Sequence, residues 1–135
     1  TQFKKLDWIR ARKLEIYESY KQKLQGQERF VFFRPMAASG FIPFRVCIMD
    51  SEARAFEVMT TLKQAGVEPR TFFYPLHKQP CFAELVAEHN YTSDEFSVST
   101  MMYDSGICLP TFLQITEEQI SYICDIILKT VRGKN

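Results

Sequence analysis

Phosphate-binding and metal-binding signatures are what this sequence most plainly lacks. With five glycines in 135 residues it holds no GxGxxG and no GxxxxGK[ST], and Ser39-Gly40 is too short a flexible step to cradle a phosphate. It has no HExxH and no GxSxG, which removes the zinc-protease helix and the hydrolase nucleophile turn. The four cysteines, Cys47, Cys81, Cys108 and Cys124, lie far apart with no CxxC, and two histidines cannot complete a clustered zinc set. No metal site is expected, and the cysteines read as buried, reduced thiols of a cytoplasmic protein. Apolar runs stop well short of the ~20 residues of a membrane span, and the N-terminus has no signal-peptide pattern. The formal net charge is only +1, so neither nucleic acid nor a membrane is an expected partner. The chain opens on Thr1, consistent with a trimmed start or with a piece of something longer.

Aromatic residues, by contrast, are plentiful. Twelve phenylalanines predict an aromatic-rich core, or an apolar face meant for something outside this chain. The length suits one domain over 1–135, able to bury roughly 65–70% of its unfolded surface. Residues 3–25 read as one long helix with a stripe at Leu6, Ile9, Lys13, Ile16/Tyr17, Tyr20 and Leu24, closed by Gly26. Phe30–Phe33 is a short aromatic segment stopped by Arg34-Pro35, and 36–42 reads as a loop. Phe44–Met49 is the clearest strand, with Arg45 its only charge. Asp50 or Ser51 should cap the next helix, which would bury Phe56, Met59, Leu62 and Ala65 and end at Gly66.

A second strand is predicted at Thr71–Tyr74, buried and ended by Pro75. Strand, helix and strand over 44–74 form the central unit, either neighbouring and parallel or split by a third strand. A helix follows at about 81–89, with Phe82, Leu85 and Val86 as its apolar face. Thr92-Ser93-Asp94-Glu95 opens another helix through Tyr103, and Gly106 breaks it. Ile107–Leu109 is a short strand candidate, and Thr116 with Gln119 forms a second capping box before a helix at 117–131. The fold class is α+β: a small sheet of about three strands covered by helices, behind a long N-terminal helix.

The best functional lead is Arg70-Thr71-Phe72-Phe73-Tyr74-Pro75-Leu76-His77-Lys78-Gln79-Pro80. A rigid strand with a sharp exit presents a histidine and a lysine at its mouth. His77 reads either as a site residue or as a turn histidine whose ring bonds a nearby carbonyl. A cysteine–histidine nucleophile would need Cys81 or Cys108 beside His77, and nothing in the sequence supports that pairing. Glu84 and Glu88 read as a solvated helix face, and His89 as a favourable contact at a helix C-terminus.

Four segments in order resemble the C-terminal small domain of the DegT/DnrJ/StrS-type aminotransferases. They are Cys47-Ile48-Met49-Asp50, then Leu62 to Arg70, then Phe73-Tyr74-Pro75-Leu76-His77-Lys78-Gln79-Pro80. The last runs from Gly106-Ile107-Cys108-Leu109-Pro110 to Leu113-x-Ile115-Thr116-Glu117-Glu118-Gln119-Ile120. The leading helix, with Arg12 and Tyr20 before Leu24, resembles the family's linking helix, which would make 1–26 that helix and 27–135 the small domain. The resemblance implies the small-domain fold of fold-type I pyridoxal-phosphate enzymes and a homodimeric parent acting on nucleotide-linked sugars. In that family the coenzyme is joined to a lysine of a preceding large domain, so this chain is expected to bind no pyridoxal phosphate and not to transaminate alone. Its partners would be that large domain and the nucleotide sugar. By motif position, His77 and Tyr74 would face substrate, with Arg70 and Lys78 as further contacts and no catalytic residue in the chain. The alternatives are a free-standing interaction or regulatory module, or a domain of a related sugar dehydratase.

Overall fold

The computed structural model describes residues 2–33 and 42–132. A short 3-10 turn leads into helix α1 (Leu6–Lys23), and strand β1 (Phe30–Phe32) follows. Next come β2 (Val46–Asp50), α2 (Ala55–Gln64) and β3 (Arg70–Thr71). After two 3-10 turns the chain forms α3 (Ala83–Glu88), α4 (Ser97–Ser105), β4 (Gly106–Leu109) and α5 (Glu117–Arg132). The expected loop at 36–42 lies, up to residue 41, outside the described residues.

The α+β class is as expected, but the sheet has four strands in the order β1-β2-β4-β3. The aromatic segment at Phe30 is the additional strand, paired antiparallel with β2 through Phe30↔Asp50 and Phe32↔Ile48. Strand β4 runs antiparallel between β2 and β3 and matches Cys47 with Cys108 and Thr71 with Ile107. Of the two arrangements open from sequence, the split β-α-β unit is the one formed.

Side chains alternate across a strand, so the register sorts the sheet into two faces. Val46 and Ile48 of β2 and Ile107 and Leu109 of β4 join Ile16, Tyr20, Val58, Leu62, Ile120 and Ile127 in one buried cluster under α1, α2 and α5. Cys47, Met49 and Cys108 take the opposite face, where α4 gives partial cover. Helix α2 buries Met59 and Leu62 as predicted, but Ala55 and Val58 complete the stripe in place of Ala65 and of Phe56, which is 48% exposed. Its N-cap is Arg54, without a side-chain cap bond. Asp50 ends β2 instead: it is fully buried and takes a two-pronged bond from Arg29, at 2.8 Å to each oxygen. Gly66 does end α2, at φ 77°, with the Val67 amide donating back to Leu62 O at 2.9 Å.

Polar side chains of α1 fix the segment that joins β4 to α5. Arg12 donates to the carbonyls of Leu113 and Ile115, Lys13 to those of Thr111 and Phe44, and the Tyr20 hydroxyl to Pro110 O. Helix α1 is shorter than the predicted 3–25, and its early stripe is not buried, since Leu6 is exposed and burial begins at Ile16. Both capping boxes form, at Thr92/Glu95 and Thr116/Gln119, although the first opens a 3-10 turn before α4. Helix α3 buries none of its residues, so its apolar face of Phe82, Leu85 and Val86 stays largely exposed. Two of the cysteines, Cys108 and Cys124, are buried as expected; Cys47 is half-buried and Cys81 exposed. No helix among the described residues is long and apolar enough to cross a membrane.

Candidate functional site

Residues 70–80 leave the sheet earlier than their composition suggests. The ladder to β4 stops after Arg70↔Cys108 and Thr71↔Ile107, so the predicted strand Thr71–Tyr74 is replaced by the two residues of β3. The cause lies in the next side chain. Phe72 turns in against Gly106, where an added Cβ would overlap the Phe72 ring and the Met102 carbonyl, and its ring meets Phe33 at 5.6 Å. A chain drawn inward at Phe72 cannot continue the ladder, and Phe73 projects outward at 94% exposure.

Tyr74 rests edge-on against Tyr103 at 5.2 Å, and Tyr103 likewise against Phe56 at 5.8 Å. The two ends of this row, Tyr74 and Phe56, line an open cleft of about 500 Å³ together with Arg45, Lys63 and Arg70. Arg70 is exposed and pairs with Glu68 at 3.1 Å, a contact of small energetic weight. A second opening of about 500 Å³ lies across Phe72 and Phe73 and is lined by Phe44, Arg45, Cys47, Val98, Met102 and Cys108.

Beyond the buried Pro75, a 3-10 turn at Leu76–Lys78 carries His77 toward α4. Its ring stacks on Phe96 at 4.5 Å and 13°, with Nε2 3.4 Å from the Thr100 hydroxyl. Thus His77 bonds a side chain rather than the carbonyl that a turn histidine would use, and Lys78 is exposed on the same turn. Arg70 and Tyr74 share the first cleft; neither His77 nor Lys78 is among the residues lining it. The four predicted residues therefore divide into a pair in the cleft and a pair on the turn beside α4.

Cys81 reaches Gln79, and Cys108 meets Cys47 and Thr71 O, so neither contact is with His77. Glu84 and Glu88 are exposed, and His89 Nδ1 donates to Leu85 O at 3.0 Å. Arg45 is the principal residue that sequence reasoning passed over. It lines both openings, and as the lone charge in an apolar strand it carried a usable signal. Tyr103, Phe96 and Thr100 were legible only as helix residues.

Among the described residues, the two lysines best placed to meet pyridoxal phosphate do not suit it. Burial lowers the pKa of Lys13, as a Schiff-base lysine would need, but its Nζ is committed to two backbone carbonyls. Lys63, the lysine of the first cleft, is exposed. Among the described residues no three of His, Cys, Asp or Glu are grouped to hold a metal ion.

Comparison with known proteins accounts for the fold. Residues 1–128 match the model of the DegT/DnrJ/EryC1/StrS aminotransferase family. The chain is 30% identical over 131 residues to the GDP-perosamine synthase of Vibrio cholerae, covering 93% of this chain and 34% of that protein. It is 27% identical over 132 residues to the GDP-perosamine synthase of Escherichia coli O157:H7, covering 93% and 32%. Helicobacter pylori PseC, an aminotransferase involved in the biosynthesis of pseudoaminic acid, superposes with a TM-score of 0.83 at 16% identity, covering 98% of this chain and 35% of PseC. The chain thus spans about a third of the length of these relatives. A four-stranded split sheet behind a long helix, matched along nearly its whole length, makes this chain a member of the DegT/DnrJ/EryC1/StrS aminotransferase family.

Proposed function

We propose that this chain is the C-terminal part of a pyridoxal-phosphate-dependent nucleotide-sugar aminotransferase, with 1–26 as linking helix and 27–135 as small domain. The observation that carries the reading is the family match over residues 1–128 by a chain a third as long as its relatives. The coenzyme, its lysine and its phosphate cradle then belong to the remaining part, and the assembled enzyme is a cytoplasmic homodimer. Exposed Phe3, Trp8, Phe44 and Phe73 fit the same reading, because a domain seen without its neighbour presents apolar side chains.

Within that enzyme this chain binds and positions. Tyr74 offers a hydroxyl to a sugar hydroxyl at the cleft, and Arg70 places a cation beside the nucleotide phosphates. His77 and Lys78 border the sugar side from the rim. Closure over the substrate excludes water and holds the sugar in reactive geometry, and none of the four residues transfers a proton.

The test joins this chain to the remaining part of its parent and follows coenzyme absorbance and amino transfer to a nucleotide-linked keto sugar. The chain alone is expected to show neither. In the joined enzyme, Tyr74→Phe should raise KM roughly two- to tenfold, the worth of one hydrogen bond, with kcat changed less. A chain that takes up pyridoxal phosphate unaided, or a Tyr74→Phe enzyme with unaltered KM, would sink the assignment.

A further inference from the structure

On the sheet face opposite the main core, Cys47 of β2 and Cys108 of β4 are register partners, with their Sγ atoms 3.7 Å apart. Directly opposed residues of antiparallel strands have Cα atoms about 4.5–5.5 Å apart, inside the range a disulfide spans. Both side chains line the second opening, so a small reagent has a path to them. The other two thiols differ: Cys81 is exposed and Cys124 lies in the main core.

We propose that Cys47 and Cys108 form a redox-active dithiol, which hydrogen peroxide or a peroxide of similar size converts into an intrachain disulfide joining β2 to β4. A small oxidant is required because Cys108 is only 8% exposed. Cys108 supplies the nucleophile. A hydrogen bond from the Cys47 thiol, together with Arg45, brings its pKa down to about 7, whereas the same bond and burial push Cys47 up. Ionisation gives up the 3.7 Å contact with Thr71 O, which only the thiol can donate to.

The Cys108 thiolate attacks one peroxide oxygen. The O–O bond breaks, hydroxide leaves and is protonated to water, and Cys108 becomes a sulfenic acid. The Cys47 sulfur then attacks that sulfur and expels the hydroxyl, which leaves as water with the Cys47 proton. Two thiols are oxidised, and one hydrogen peroxide is reduced to two waters. Arg45 loses the thiolate it bonds and keeps its contact over the Phe44 ring at the lining of both openings.

The experiment uses the protein with whatever further chain it naturally carries, in a Cys81→Ser background that removes the exposed competitor. Near-stoichiometric hydrogen peroxide is added, the protein is unfolded with maleimide present, and peptides holding Cys47, Cys108 and Cys124 are mapped by mass spectrometry. Of these three thiols, only Cys124 should remain free, with Cys47 and Cys108 in one cross-linked peptide that dithiothreitol separates. Added Cys47→Ser should leave Cys108 as a sulfenic acid trapped by dimedone. Retention of all three thiols, loss confined to Cys124, or sulfinic acid at Cys108 without cross-linked peptide overturns the proposal.

Discussion

Arg29 and Asp50 are the residues whose loss the fold should feel most sharply. Asp50 is fully buried, and Arg29 reaches both its oxygens while also pairing with Glu52 at 2.7 Å. Removing the cation strands a buried carboxylate. Arg29→Ala should therefore cost about 3–5 kcal/mol in urea denaturation, far more than an exposed pair such as Arg70–Glu68. Nothing in the spacing of Asp50 foretold this: a strand-ending aspartate before a helix reads as a cap, and its partner lies across a hairpin. Tyr20 adds a pH dependence. Burial raises its pKa, so the folded state holds the neutral phenol. That contribution is complete below the unfolded value of about 10 and is lost as pH rises above it. Stability measured from pH 8 to 11 should fall more steeply in the wild type than in Tyr20→Phe.

At the scale of elements, periodicity located the helices well and found the buried faces of α5 and of the second half of α1, but not the polar contacts of α1. Helix α1 buries the Ile16–Leu24 half of its predicted stripe, and its Arg12, Lys13 and Tyr20 tips also reach backbone carbonyls between β4 and α5. Such bonds are invisible to a hydropathy pattern, because an arginine or lysine on a helix face looks solvated until the facing loop is known. Arg12→Ala should leave α1 helical and raise amide exchange in the 113–120 region about tenfold, the loss of hydrogen bonds from a charged donor. Glycine marked helix ends correctly, at Gly66 and Gly106, whereas Pro75 lies beyond the strand it was expected to close. Neither residue type could reveal that β3 stops at Thr71, which follows from Phe72 filling the space that Gly106 leaves open.

Across the whole molecule, the family was legible because four motifs kept their order. The candidate site was only half legible, since the aromatic row and Arg45 come together through tertiary packing. The apolar surface is the part of the molecule most in need of a neighbour. Phe73→Ser should change the unfolding free energy of the chain in urea by no more than about 0.5 kcal/mol, because the ring is 94% exposed. The same change should weaken association with the remaining part of the parent, as read by titration calorimetry.

The brevity of β3 has a protective side as well. It is one of the two edge strands of its sheet, a place where a foreign segment would add itself by backbone pairing. Only Arg70 and Thr71 offer ladder geometry there, and the residues bracketing the region, Pro69 and Pro75, have no amide hydrogen to give. At this edge the chain can thus carry the bare ring of Phe73 without presenting a template for fibril growth.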